Sequence, residues 1–309
     1  MAPRFQNLDP DPTLSEFPNL FKLLLGRGRS AWPSQVDWPV TPPPPQRVAG
    51  EALRVTFINH ATVLIQTAGL NILTDPHFSL RCSPVSWAGP RRAHAPGVAF
   101  EDLPPIDLVL LSHNHYDHMD IPSLERLFAT HDCALMTGLG VGGHLRPALR
   151  PRVTEMAWWE TRSFKGLPIS FVPVQHFSAR GFHDRFETLW GGFVLQTPAG
   201  PVYFPGDTAY GSHFRLTRER FGPFKLALLP IGAYEPRWFM KKMHVNPQEA
   251  VQAFLDLEAS AALGIHFGCF RLTYEAIDAP TTALKQALEE ARISSETFRT
   301  IAPGNAWEL

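Results

Sequence analysis

Residues 107–129, DLVLLSHNHYDHMDIPSLERLFA, decide the fold of this 309-residue chain. The segment opens on an unbroken aliphatic run, Leu108 to Leu111, of the kind that forms a strand buried on both faces. It closes on Leu124, Leu127 and Phe128 at helical spacing with Pro122 in the first turn, which predicts a helix over 121–129. Between the two lies His113-Asn114-His115-Tyr116-Asp117-His118, four metal-capable side chains in six residues on a strand-to-helix loop. With only 13 histidines in the chain, three at these set positions make a poor fit to a plain surface loop. Alternate side chains of an extended segment face the same way, so His113 and His115 can grip one ion. Asp117 and His118, beyond the bend, are then left for a second.

Zinc takes about four ligands, and a catalytic zinc keeps a position open, so four local side chains cannot complete two ions. The missing ligands must come from elsewhere in the chain. Three more apolar strands end on a polar residue: 169–174 runs into His176, 202–204 into Asp207, and 262–265 into His266. Each is followed by a small or turn-forming residue, Ser178, Thr208 or Gly268. Taken singly, each is an ordinary structural residue; together with the loop they complete a donor set. The candidate ligands are therefore His113, His115, Asp117, His118, His176, Asp207 and His266. Five imidazoles favour a pair of Zn2+ ions, and iron or manganese is compatible with the same donors.

Outward from these motifs, 55–58, 62–67 and 71–74 are strands broken by Asn59-His60 and Ala68-Gly69, the pattern of an antiparallel meander. Residues 226–231 are another apolar strand. Asn246-Pro247-Gln248-Glu249 reads as an N-cap, a first-turn proline and a capping-box glutamate opening a helix to about Glu258. A last helix over 282–291 and a short strand over 298–301 follow. Strands first, then strands alternating with helices, twice over, give the α/β (α+β) class. The architecture expected is a four-layer αββα sandwich, two sheets face to face with helices outside. Trp38 to Pro45, WPVTPPPP, is a stiff connector. Residues 1–46 are thus an N-terminal extension with a Pro-rich connector, and 47–309 the main domain. Leu14, Phe17, Leu20, Phe21, Leu24 and Leu25 form a helical apolar face within the extension.

The formal charge of −1 offers no global field for nucleic acid, which is excluded as a partner. Cys82, Cys133 and Cys269 form no CxxC pair, which argues against a disulfide scaffold and a thiolate metal site. A reducing, cytoplasmic setting is expected. There is no signal-peptide core and no run of roughly 18 apolar residues to span a membrane. The N-terminal apolar face, with Arg27 and Arg29 after it, suggests peripheral membrane contact; packing on the sandwich is the alternative.

The motifs SHNHYDH (112–118), PVQHFS (173–178), PGDTAY (205–210) and IHFG (265–268) resemble, in order and role, those of the metallo-β-lactamase superfamily. Their flanks, INHATVLIQ (58–66), LTDPHFSLRCSPVSWAGPRR (73–92), LWGGF (189–193) and FGPFKLALLPIGAYEPRWFMKKMHVNPQEAV (221–251), are similar to one branch of it. That branch is the N-acyl-phosphatidylethanolamine-hydrolysing phospholipase D family, and the likeness spans about residues 50–290. The resemblance implies that His113, His115 and His176 hold one zinc and Asp117, His118 and His266 the other, with Asp207 bridging. Two Zn2+, two carboxylates, five neutral imidazoles and a metal-bridging hydroxide leave about +1 at the site, suited to an anionic phosphodiester. It also implies phospholipase D-type hydrolysis of N-acylethanolamine phospholipids by a catalytic domain at 47–309.

Asp117 is a ligand first and an orienting group for the attacking water second. His244, before the capped helix, is a candidate to touch the substrate phosphate or protonate the leaving group; a histidine bonded at a helix start is the alternative. Tyr116 and Ser86 are substrate-facing candidates. Ser86 stands where animal members of the family carry a longer polar side chain. His60 is expected to brace a metal-site loop. Arg81, Arg91 and Arg92 are candidates for a lipid head group or ordinary surface arginines. Tyr234 to Met240 can line an acyl groove, form a homodimer contact or simply pack.

A metal-dependent lactonase or small-ester hydrolase uses the same kind of site, and a non-catalytic, metal-stabilised lipid-binding protein is the reading from another class. A β-lactamase fits less well, because Asp207 stands where the dinuclear enzymes of that name resemble a cysteine pattern. An RNA-processing nuclease needs a basic face, and a flavodiiron reductase needs more carboxylates and a flavin domain.

Overall fold

The computed structural model describes residues 4–9, 28–181 and 183–309; the apolar face between Leu14 and Leu25 lies outside them. Two seven-stranded mixed sheets make up the body, in the orders β14-β1-β2-β3-β4-β5-β6 and β13-β12-β11-β10-β9-β8-β7. In the first, β1 (Leu53–Asn59), β2 (Thr62–Thr67) and β3 (Leu70–Thr74) form the expected antiparallel meander. β4 (Leu108–Leu111), β5 (Ala134–Gly138) and β6 (Val153–Met156) then continue it in parallel. The second sheet repeats the plan. β7 (Glu160–Phe164), β8 (Leu167–Val172), β9 (Gly192–Thr197) and β10 (Gly200–Phe204) are antiparallel. β11 (Leu226–Pro230), β12 (Ala262–Ile265) and β13 (Phe298–Arg299) are parallel. β14 (Ala306–Glu308) returns to pair with β1, tying the C-terminus to the first half.

Side chains alternate across each central strand, and both faces are covered. Leu108 and Leu110 enter the core between the sheets with Ile169, Phe193 and Leu228. Val109 and Leu111 point outward against Leu124, Leu127 and Phe128 of α1 (Ile121–Thr130). On the far sheet Val202 and Phe204 face inward. Tyr203 meets the outer layer of α2 (His213–Phe221), α4 (Pro247–Asp256) and α5 (Ala279–Ala291), with Phe254 and Leu284. A short turn of helix, α3 (Arg237–Met240), precedes α4. Burial on two faces is why the central strands read as unbroken apolar runs. The architecture is the expected αββα sandwich.

The Asn246 capping box is present: its side chain accepts from Glu249 N, and Glu249 returns to the Asn246 backbone. α5 begins at Ala279 rather than 282, because Pro280 sits in its first turn, where its missing N–H costs nothing. The last parallel strand is only Phe298–Arg299. β7 escapes a reading from sequence because it is an edge strand whose central residues, Thr161, Arg162 and Ser163, are exposed. The connector is pinned to the body. Gln66 and Asn71 donate to the carbonyls of Pro45 and Gln46, and Arg47 pairs with Asp107. Residues 4–9 pack there too, through Phe5 N to Phe186 O and the buried side chain of Asn7.

Candidate metal centre

The strands deliver their polar ends to one edge of the sandwich, as loops on a rigid scaffold do. His60 lies in the β1–β2 turn, Asp75 follows β3, the 113–118 cluster follows β4, and His176 follows β8. Asp207 comes after β10, His244 stands just before α4, and His266 comes directly after β12. His113 Nε2 and His176 Nε2 stand 2.8 and 3.2 Å from His115 Nδ1. Asp117 Oδ2 is 3.4 Å from both His118 Nε2 and His266 Nε2. Asp207 lies between the two groups. Its Oδ2 is 3.1 Å from His118, 3.8 Å from His176 and 4.0 Å from His113, while Oδ1 is 3.0 Å from His266. All seven candidates from the sequence meet around this one centre.

Hydrogen bonds on the outer side of the rings fix which nitrogen faces inward. His176 Nδ1–H donates to Met243 O at 2.9 Å. His118 Nδ1–H donates to Asp75 Oδ2 at 2.6 Å. His113 Nδ1–H donates at 2.9 Å to Ser112 Oγ, whose own hydroxyl donates at 2.6 Å to the same Asp75 oxygen. Lone pairs therefore point into the centre, where His118 Nε2, His266 Nε2 and Asp207 Oδ1 make no hydrogen bond although buried. Imidazole lone pairs aimed at each other and at carboxylates repel unless a cation lies between them. The donor set therefore fits metal ions. His113, His115 and His176 can hold one, His60, Asp117, His118 and His266 form a second group, and each group's donor atoms lie within 4.8 Å of one another.

Electrostatics lead the same way. Burial, reinforced by neighbouring histidines, holds His113 and His115 well below the ordinary histidine range. Burial also takes His176 down to about 4 and His244 to about 3. Burial alone would raise the carboxyls of Asp117 and Asp207, yet attraction to His118 and other neighbours wins and both stay ionised. His118 and His266 move the opposite way, the latter to about 9: burial is overcome by the two carboxylates. Without metal, two protons must supply the positive charge that cations would otherwise bring.

His60 braces the site. Its Nε2 is 3.0 Å from Asp117 Oδ2, and its carbonyl accepts His266 N at 2.7 Å. His60, Asp75 and His266 all hold left-handed backbone, at φ 42, 31 and 61°, strain of about 1–3 kcal/mol each that loop packing must offset. His244 Nε2 lies 3.9 Å from Asp207 Oδ2 with its Nδ1 unpartnered. Tyr116 is half-buried beneath the Arg180 guanidinium, 4.0 Å above its ring. Ser86 is exposed on the loop after β3, outside the groups of donor atoms that gather at the centre.

Four contributors escaped the sequence reading. Asp75 follows β3 as the candidate ligands follow their strands, so the same strand-end signal was there to find. Ser112 hides as the polar end of the β4 run. Arg180 donates to the carbonyls of Asn114 and Met119, both at 2.9 Å, and so holds the ligand loop. Asn7 bonds the backbone of His176 from 169 residues away, with no local signal at all. Beside the centre lies an apolar wall of Phe177, Phe186, Phe239, Met240 and Met243, with the Phe177 ring 4.6 Å from His115. Within the 234–240 stretch, then, Tyr234 and Met240 are packed and Trp238 is 48% exposed.

Fold and site together define a metallo-hydrolase, and residues 70–267 match the β-lactamase superfamily domain. The chain belongs to the β-lactamase superfamily and is a metal-dependent hydrolase. Within that superfamily it is similar to N-acyl-phosphatidylethanolamine-hydrolyzing phospholipase D 1 of Caenorhabditis elegans, 36% identical over 83% of this chain and 76% of the relative. The mitochondrial enzyme of the same name from Saccharomyces cerevisiae is 37% identical over 72% of this chain and 48% of its own length. Among solved structures, the isothiocyanate hydrolase from Delia radicum gut bacteria superposes with a TM-score of 0.64 at 20% identity, covering 82% of this chain and 98% of that one, a likeness of fold alone. No helix among the described residues is long and apolar enough to cross a membrane.

Proposed function

We propose that the protein is a dinuclear zinc phosphodiesterase of phospholipase D type acting on N-acylethanolamine phospholipids. The observation that carries this reading is the position of Asp207, whose two oxygens reach both histidine groups beside an apolar wall suited to acyl chains. The names of the relatives supply the substrate class. When bound, two divalent cations acidify water and neutralise phosphodiester charge.

The chain's own residues do the rest. His113, His115 and His176 would hold one cation and Asp117, His118 and His266 the other, with Asp207 shared. Asp75, through Ser112 and His118, keeps the ring lone pairs inward. His244, 3.9 Å from Asp207 and held by burial below the ordinary histidine range, would donate an N–H to a phosphoryl oxygen. Water adds to phosphorus, the P–O bond to the ethanolamine oxygen breaks, that oxygen takes up the proton the water gives up, and phosphatidic acid and an N-acylethanolamine leave.

The test is an assay of zinc-loaded protein against an N-acylated phosphatidylethanolamine and a lactone panel, with elemental analysis of the same preparation. About two zinc per chain, with product lost in Asp207→Asn, is expected. Lactone turnover with no phosphodiester cleavage would replace the substrate class.

A further inference from the structure

We propose that the loop over residues 79–92 is an interfacial anchor that docks the protein on an anionic lipid surface; this deepens the phospholipase reading above and rests on it for its biological sense. Three large apolar side chains on this loop face solvent: Leu80 is 51%, Val85 36% and Trp87 79% exposed. Such tips on a surface that folding leaves uncovered mark a contact site, and an indole belongs at the headgroup level of a bilayer. The loop is held in this form, so the tips do not simply fold inward. Arg92 donates to the carbonyls of His77 and Ser79, Arg81 to that of Gly89, and bridges join Arg81 to Arg91 and Arg92 to Phe270.

Charge selects the occupant. Residues 79–100 contain Arg81, Arg91 and Arg92 and no acidic residue, against a whole-chain charge of −1. Beside the loop opens a cavity of about 590 Å³ lined by Arg29, Trp32, Arg91, Arg92 and Arg271, with no carboxylate in its wall. Arg29, Arg91 and Arg271 form no ion pair among the described residues. The loop that carries these apolar tips thus also supplies Arg91 and Arg92 to a cationic hollow, a pairing that complements a bilayer with anionic head groups. The loop also leads to the metal centre, since Phe270 packs 5.3 Å from the His60 ring, which bonds Asp117. The anchor is distinct from the N-terminal apolar face considered from sequence.

Co-sedimentation of the full chain with vesicles of phosphatidylcholine, and of equal parts phosphatidylcholine and phosphatidylglycerol, tests this. The wild type should pellet with the anionic vesicles and be released by salt. Trp87→Ser should weaken partitioning about tenfold, and Arg91→Gln or Arg271→Gln about fivefold each. Hydrolysis of monomeric bis(para-nitrophenyl) phosphate should be unchanged in these variants. No pelleting of a wild type that cleaves the monomeric ester, or equal pelleting by all variants, overturns the anchor. So does a dimer in light scattering that Trp87→Ser dissolves without vesicle binding, which would make the patch a contact between copies of this chain. Pelleting by a protein that cleaves no phospholipid leaves the anchor standing and removes the phospholipase reading instead.

Discussion

The Asp75 carboxylate lies 2.6 Å from His118 Nδ1, and the same oxygen accepts the Ser112 hydroxyl that carries His113. One buried acid thus sets the tautomers of two histidines in different ligand groups. Asp75→Asn preserves shape but replaces an acceptor oxygen by an amide donor. Zinc affinity should fall about 10–100-fold while the circular dichroism spectrum is kept, read by competition with a chromogenic chelator. An unchanged affinity would show that ring orientation does not depend on this acid.

Gly206 reaches the centre through backbone alone. It holds φ +65°, and a Cβ there would come within 2.4 Å of Ser112 Cβ. Gly206→Ala should cost about 1–2 kcal/mol from the left-handed backbone, and more from displacing Ser112. Urea unfolding should show the loss, together with lower zinc occupancy.

Asn7 accepts from the indole of Trp190 and the amide of His176, and donates to His176 O at 2.8 Å. Asn7→Ala strands the buried N–H and C=O of His176, while the Trp190 indole keeps Val174 O as acceptor, a cost of roughly 1–3 kcal/mol. The expected result is a lower urea midpoint and weaker zinc binding. A change in stability with metal affinity intact would limit Asn7 to a packing role.

Removing metal leaves the buried carboxylates of Asp117 and Asp207 with only protonated His118 and His266 to balance them. At free zinc about 100-fold above Kd, binding contributes about 2.7 kcal/mol. Dialysis against a chelator should therefore lower Tm by about 4 °C, with recovery on adding zinc, measured by calorimetry.

His213, on α2 away from the ligand sets, has its Nε2 3.1 Å from Thr208 Oγ1, and burial lowers its pKa to about 3. Its folded pKa lies below the unfolded value of 6.5, so unfolding takes up a proton between the two. The stability tied to the neutral ring is fully present above pH 6.5 and is lost as pH falls toward 3. The slope it adds is up to about 1.4 kcal/mol per pH unit. His213→Gln should flatten the pH dependence of urea unfolding by that amount between about pH 6 and 4.

The residues that meet at the candidate centre could be picked out from sequence because each stands at, or in the loop just beyond, the end of an apolar strand that has no other use for a buried histidine or aspartate. The central strands could be read because burial on two faces forces an aliphatic run. β7 could not, because its exposed edge residues leave no periodic signal, and neither could the second rank of the centre. Asp75, Ser112 and Arg180 act through hydrogen bonds whose partners are fixed only when separate strand ends meet.

By itself, then, the chain's order of residues determined the two-sheet plan and the seven donors, since hydrophobic periodicity and side-chain chemistry are local properties. Only the tertiary structure decided that Asp207 stands between two histidine groups, that Asn7 supports His176 across 169 residues, and that Trp87 remains in solvent on the loop that lends Arg91 and Arg92 to a cationic hollow. Those are distances and exposures between segments far apart in the chain, and they exist only once the two sheets close on each other.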